Sequence, residues 1–337
     1  MRSFSFTGRE AHHISSSVYA IVFYFLQIYN YICKTMTQKS IYFAGGCFWG
    51  VEHFFKGVDG VREAVPGYAN GTTEKPSYKE VYTDTTGHAE TVKVTYNPER
   101  VSLQTLLKLF FTVTDPLTLN RQGHDEGTRY RSGVFYTDLA DKPVIEQAFK
   151  DVEAKLGVSI VTELEPLKCF FPAEEYHRNY LDKNPEGYCH LPLKTFVYLR
   201  LWQDLKLFLG EETDLIARMA NTSAMIQERM RFFWTGFYRV DGKELVLGPF
   251  QGPAACQRIG FGKGVCGTAW KERRTIVVPD VEEFPGHIAC SSLSRSEIVV
   301  PVFKGADIVA VLDIDSDSLA TFDSTDATWL ELIAELI

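Results

Sequence analysis

The stretch "IYFAGGCFWGVEHFF", Ile41 to Phe55, sets a cysteine between two glycines and two aromatics. "SIYFAGG" reads as a strand that ends at Gly45-Gly46, and "CFWGVEHFFKGV" as the helix that follows. Cys47 therefore stands at a helix start. Unpaired amide donors and the positive end of the helix dipole favour thiolate there, so its pKa is expected to fall below the usual value.

Working outward, "ETVKVTYNP" alternates Val92, Val94 and Tyr96 with Lys93 and Thr95 as a half-buried strand does. "SLQTLLKLFFTVTDP" reads as a helix stopped before Pro116, and "KPVIEQAFKDVEAKLG" as one stopped by Gly157. "GVFYTD" and "SIVTELEPL" read as strands. This mixture predicts an α+β layer structure from about Thr37 to Leu193. No Pro/Gly/Ser-rich linker follows; "LRLWQDLKLFLGEETDLIARMANTSAMIQERM" reads as a helical stretch opening a second domain. Strands "FFWTGFYRVDG" and "KELVLGPFQG", a Gly-rich turn "IGFGKGVCG", a helix around "TAWKERR", strands "TIVVPD", "SEIVVPVFKGADI" and "VAVLDID", and a last helix "STDATWLELIAELI" complete it.

A chain of 337 residues predicts two domains. The divisions read are 1–35 as an extension outside the fold, 36–195 and 196–337. A net charge of −8 argues against nucleic-acid binding, which relies on surplus Lys and Arg. Seven irregularly spaced cysteines do not read as a disulfide scaffold; reactive thiols in a reducing, cytoplasmic setting fit better. "VYAIVFYFLQIYNYIC", Val18 to Cys33, is interrupted by Gln27 and Asn30 and is shorter than the ~20 apolar residues a spanning helix wants. No membrane role is expected of it.

"GGCFWG", "PSYKEVYTDTTGHAET", "NRQGHDEGTRYRS", "FFPAEEYH" and "NPEGYCH", in this order, resemble peptide methionine sulfoxide reductase A over Ser40 to Leu193. "FWTGFY", "LVLGPFQGPAACQRIGFGKGVCGTA", "FPGHIACSSLSRSEIVVP" and "LDIDSDS" resemble the free methionine-R-sulfoxide reductases, which are GAF-domain proteins, from about Leu201 onward. The resemblance implies a two-layer domain with a mixed sheet, followed by a GAF domain with an antiparallel sheet flanked by helices.

Reduction of a sulfoxide needs a nucleophile for sulfur, an acid for oxygen, an apolar seat for the methyl and a way to regenerate the nucleophile. Cys47 supplies the nucleophile, and Phe48 and Trp49 the seat. Glu90, just before a strand, is assigned as general acid, because a carboxyl kept neutral in an apolar pocket donates a proton near neutral pH. The resemblance places Tyr78, Asp125 and Tyr130 where the sulfoxide oxygen is held. Attack leaves Cys47 as a sulfenic acid, which a second thiol converts to a disulfide; Cys189 matches the family's resolving cysteine. Cys169 reads as a buried spectator.

In the second half Cys256, Cys266 and Cys290 each read as lying in a loop or turn. The resemblance makes Cys290 the nucleophile, Cys256 the resolving thiol and Cys266 a secondary exchanging thiol. The strand period puts Asp313 and Asp315 on one face, opposite Leu312 and Ile314. With Glu297 they form an anionic pocket suited to the α-ammonium of a free amino acid, and Trp234 and Tyr238 would line its thioether end. Spacing excludes a calcium loop at Asp313 to Asp317, since Ser318 and Ser324 stand where Gly and Glu are needed, and nothing resembles paired CxxC zinc ligands. Neither metal nor cofactor is expected; thioredoxin or a similar dithiol is the expected reductant. Two other functional classes stand beside this reading. A thiol hydrolase needs a histidine base for Cys47, and His53 lies off its helical face, while His88, His124 and His177 have no readable place. A redox or ligand sensor built on the second half, with Cys256 and Cys290 as its switch, is the alternative to a second enzyme.

Overall fold

The computed structural model describes residues 38–288 and 291–337. The expectations for the first 35 residues, for Cys33 and for Cys290 lie outside the described residues.

The first half runs β1 (Lys39–Gly45), α1 (Phe48–Lys56), β2 (Val61–Ala69), α2 (Tyr78–Tyr82), β3 (Ala89–Tyr96), α3 (Leu103–Val113), β4 (Arg121–Gln122), β5 (Asp125–Glu126), β6 (Ser132–Tyr136), α4 (Lys142–Leu156), β7 (Glu163–Pro166), β8 (Phe170–Pro172) and α5 (Tyr180–Lys183). Six strands form a sheet in the order β7-β6-β1-β3-β2-β8, antiparallel except for the β6–β7 pair, while β4 and β5 make a separate hairpin. The mixed sheet is as expected. Helix ends follow local chemistry: Ser102 caps α3 by accepting the Thr105 N–H, and α4 stops at Gly157, whose φ of 69° only glycine adopts freely.

Then come α6 (Leu193–Leu209), α7 (Leu215–Met230), β9 (Trp234–Asp241), β10 (Glu244–Gln251), β11 (Arg258–Gly260), α8 (Gly264–Glu272), β12 (Ile276–Val278), β13 (Ser296–Lys304), β14 (Asp307–Ser316) and α9 (Ser324–Ala334). The second sheet, β11-β10-β9-β14-β13-β12, is antiparallel throughout. The helical stretch consists of two helices, because Gly210 ends α6 and Asp214 caps α7 by accepting the Ala217 N–H. The division read at 195/196 falls inside α6.

Three other expectations need correction. Glu90 lies within β3 rather than ahead of it, paired across the sheet with Tyr68. Cys266 is not in a turn: α8 starts at Gly264 and carries Cys266 inward against Val265, Ala269 and Val299. Cys169 is only half-buried, with its thiol directed at the Gly71 carbonyl at 3.7 Å.

One apolar core runs through both halves. Trp329 of α9 is completely buried, stacked 4° from parallel on Tyr198 of α6 and against Phe54 of α1, each at 6.2 Å. Lys108–Glu335, Lys155–Glu331 and Lys194–Asp326 ion pairs ring this seam. No helix among the described residues is long and apolar enough to cross a membrane.

A shared core predicts shared unfolding. Trp329→Ala, which empties the seam, is expected to cost roughly 3–5 kcal/mol and to lower the urea midpoint of near-ultraviolet signals from both halves together. Two separable transitions, with only the second displaced, would contradict a common core.

Candidate active sites

The first site is built on the turn between β1 and α1. Its three glycines are close-approach positions. A methyl on Gly46 (φ 83°) would meet Gln122 Cβ at 2.6 Å, and one on Gly50 would meet His190 Cε1 at 3.0 Å and Cys189 Sγ at 3.2 Å. The Cys189 sulfur therefore lies one helical turn from Cys47, against the helix face that follows it. Both thiols are free.

Cys47 caps α1, as expected, but its pKa moves the other way. Burial is the main cause, and the nearby Glu90 carboxylate adds to it, while the Trp49 backbone N–H opposes both. Losing water costs the thiolate more than the helix end returns. Resting Cys47 is a thiol.

Glu90 is completely enclosed, and burial raises its pKa to about 8 against the hydrogen bond it accepts from the Phe48 N–H at 3.1 Å and the attraction of Arg129. The carboxyl is neutral at pH 7. Tyr78 and Tyr130 face it closely enough that its charge raises both of their pKa values after burial does. Asp125 accepts the Tyr188 hydroxyl at 2.9 Å through Oδ1, and its Oδ2 is buried without a partner. Phe48 is core, whereas Trp49 is half-buried with Tyr180 stacked on it at 3.7 Å.

Several residues that shape this site were not singled out in the sequence, although they sit inside the quoted motifs. Glu174 of "FFPAEEYH" accepts the Tyr68 hydroxyl at 2.7 Å and the Tyr78 N–H at 2.8 Å, which fixes α2 beside Glu90. His177 accepts the Trp49 indole N–H at 3.1 Å on Nδ1, leaving a buried Nε2 without a partner. Arg129 pairs with Asp84 at 2.6 Å and lies over the Tyr82 and Tyr130 rings. Only the spatial arrangement separates them from ordinary core polar groups. His53 pairs with Asp182 at 2.9 Å, and His88 bonds the Thr73 carbonyl and the Gly71 N–H, so neither serves Cys47 as a base.

The second site lies on the face of the antiparallel sheet opposite the shared core. Glu297, Asp315 and Trp234 form one row across β13, β14 and β9; Asp313 stands opposite Gly236. The expected face alternation holds, with Leu312 and Ile314 in the core shared with the first half. Gly236 keeps space for its neighbour, since a methyl there would meet Trp234 at 2.5 Å and Phe250 at 2.4 Å. Trp234, Tyr238, Ser294, Asp313 and Asp315 line a small cleft. Burial raises the pKa of Glu297 and Asp313, and that of Asp315 to about 6. Asp313 Oδ1 has no partner. Cys266 Sγ lies 4.0 Å from Glu297 Oε1, its thiol held protonated by burial and by both acids. Cys256, in the loop after β10, is disulfide-bonded.

Comparison with known proteins gives two matches in tandem. Residues 39–203 match the peptide methionine sulfoxide reductase family and residues 211–337 the GAF domain family. The peptide methionine sulfoxide reductase MsrA of Clostridium acetobutylicum is 52% identical over 155 residues, 46% of this chain and 96% of that protein. A free methionine-R-sulfoxide reductase of Neisseria meningitidis, solved with its substrate, is 51% identical, covering 43% of this chain and 89% of its own with a TM-score of 0.42. The reduced enzyme of that type from Staphylococcus aureus is 48% identical, covering 42% and 92%, with a TM-score of 0.41. By its first half the chain belongs to the peptide methionine sulfoxide reductase family, and it carries a GAF domain akin in sequence to the free methionine-R-sulfoxide reductases in the same polypeptide.

Proposed function

We propose that the chain is a bifunctional methionine sulfoxide reductase. The first half takes the S epimer, in peptides or free, and the second takes the R epimer of the free amino acid. The observation that carries the first assignment is a buried, neutral Glu90 beside a cysteine at a helix start, with a second thiol one turn away.

The chemistry follows from those groups. A sulfoxide enters with its methyl against Phe48 and Trp49 and its oxygen toward Glu90, Tyr78 and Tyr130, with Asp125 at the rim. Its electropositive sulfur then faces Cys47, offsetting the burial that holds the thiol protonated, and the Trp49 N–H steadies the thiolate. Cys47 Sγ attacks while Glu90 gives its proton to oxygen. The sulfur–oxygen bond passes from substrate to enzyme, yielding the thioether and Cys47 sulfenic acid. Cys189 displaces that oxygen as water and forms the disulfide, which thioredoxin or a related dithiol reduces.

In the second half the acids of β13 and β14 receive an α-ammonium, which a methionine within a peptide lacks. The unpartnered Asp313 oxygen supports this reading. Cys290 is assigned as nucleophile and Cys256 as the thiol that resolves it. The engagement of Cys256 in a disulfide, while Cys266 stays free inside the core, favours that order. A GAF sensor without turnover is the rival. Sustained NADPH oxidation with thioredoxin, its reductase and free methionine-R-sulfoxide is expected of an enzyme; consumption that stops after one equivalent would make the second half a sensor. In the same assay Cys47→Ser should abolish S-epimer reduction alone, and Cys290→Ser R-epimer reduction alone. Loss of both activities in either variant would rule out independent sites.

Glu90 makes activity and stability oppose each other. The unfolded carboxyl ionises near 4.5, whereas the folded one keeps its proton to about 8, so stability declines as pH rises through that window. Above it the penalty is on the order of 4–5 kcal/mol. Glu90→Gln keeps the Phe48 hydrogen bond and should raise the melting temperature at pH 9 relative to wild type, while S-epimer turnover falls roughly 10²-fold or more. Wild-type turnover should decline on the alkaline side of about 8. An unchanged melting temperature at pH 9 would show that Glu90 is not held neutral by burial.

Asp315 sets the acid limit of the second site. Its folded pKa of about 6 means that cation binding weakens as pH falls through that value, seen as a rising KM for the free R epimer. Asp315→Asn should raise KM at neutral pH and remove that acid limb; a limb that persists in the variant assigns it elsewhere.

A further inference from the structure

We propose that the GAF domain holds the Cys189 segment in position for its reaction with Cys47, with Asp326 of α9 as the positioning residue. The inference rests on the reading of Cys189 as the resolving thiol. Only His190, Leu191 and Pro192 separate Cys189 from α6. Pro192 caps α6 without a side-chain hydrogen bond, and the local hold on the helix start is by packing: His190 lies against Gly50, Leu191 is in the core and Phe196 meets the His53 ring at 5.0 Å. The helix's polar anchor comes from the other domain. Asp326, nearly fully buried, accepts the Lys194 ammonium at 2.6 Å, the Tyr198 hydroxyl at 2.8 Å and the Asp323 N–H at 2.9 Å; Lys194 also reaches Asp323 at 2.7 Å.

Among the described residues, the side-chain hydrogen bonds from the first two turns of α6 all go to α9. The first domain's polar hold on α6 comes later, where Gln203 accepts the Asp59 N–H at 2.6 Å and donates to the Gly57 carbonyl at 3.1 Å. The Cys189 stretch, packed through His190 and Leu191, is therefore a short span between two polar anchors. One is the Tyr188–Asp125 hydrogen bond at the active-site rim, and the other is the α6 start clamped by α9.

The step this span must serve is stringent in geometry. Cys189 sulfur attacks the sulfenic sulfur of Cys47, the sulfur–oxygen bond breaks, and the oxygen leaves as water with the thiol proton; no external reductant takes part. The new bond closes to about 2.05 Å with a narrow range of dihedral angle, so displacement of the α6 start disfavours it. Methionine formation precedes this step and uses none of these residues. The GAF domain thus acts on disulfide formation and not on sulfoxide attack.

The experiment is a single-turnover quench of the full chain with a peptide methionine-S-sulfoxide and no reductant. It reads methionine formed, Cys47–Cys189 disulfide by mass spectrometry, and sulfenic acid by dimedone capture. Lys194→Met and Tyr198→Phe should each leave the methionine burst unchanged, slow disulfide formation roughly tenfold and increase the dimedone adduct at Cys47. Lys194→Arg, which retains the charge, should restore the rate. A wild-type disulfide rate in both variants overturns the proposal. So does a parallel fall in the methionine burst and near-ultraviolet dichroism, which would mark a purely structural seam. Cys189→Ser separates the underlying reading: if Cys47 still forms an intramolecular disulfide in that variant, the assignment of Cys189 itself is at fault.

Discussion

The Phe48 N–H donates to the Glu90 carboxyl at 3.1 Å, and this one bond ties the turn that carries Cys47 to the strand beside it. It also sets the electrostatics of the pocket. The bond favours ionised Glu90, as does Arg129, yet enclosure prevails and the carboxyl keeps its proton near pH 7. A neutral acid neither repels a forming thiolate nor lacks a proton to give. The same dehydration keeps Cys47 protonated.

The second half applies the same constraint with the opposite sign of ligand. Glu297, Asp313 and Asp315 lie on neighbouring strands of one sheet face, where burial raises all three pKa values and repulsion from neighbouring carboxylates adds to it at Glu297 and Asp313. Such a cluster is most at ease with a cation among them. The aromatic pair Trp234 and Tyr238, 6.0 Å apart, closes the apolar side of the cleft. In both halves a glycine, Gly50 or Gly236, gives up its side chain so that a reactive or binding group can approach.

The seam between the halves is a core rather than a contact of two finished surfaces. Trp329 packs on Phe54 of α1, the helix that Cys47 caps, and on Tyr198 of α6, the helix that follows Cys189. Asp326 lies in the first turn of α9 and receives donors from α6, so the start of α9 and the start of α6 are fixed by the same carboxylate. A GAF domain joined in this way is part of the mechanical frame of its neighbour.

Much of this was legible in the chain itself. Strand period two put Asp313 and Asp315 on one face, Gly157 marked a helix end, and the turn at Gly45-Gly46 placed Cys47 at the head of α1, because these depend on local backbone chemistry. The direction of the Cys47 pKa was not legible. A helix terminus is a local feature, but the loss of water that outweighs it comes from Glu90 and the enclosing walls, which arrive from elsewhere in the chain. Cys266 misled for a related reason: the glycines of "IGFGKGVCG" signal a turn, yet packing against β13 extends the helix back to Gly264. Glu174, His177 and Asp326 are unremarkable polar letters until folding sets them against Tyr78, Trp49 and Tyr198. The sequence by itself determined which elements form and which thiols and acids are present. Tertiary structure alone decided which of those groups lose their water, and therefore which hold a proton and which seek a charge.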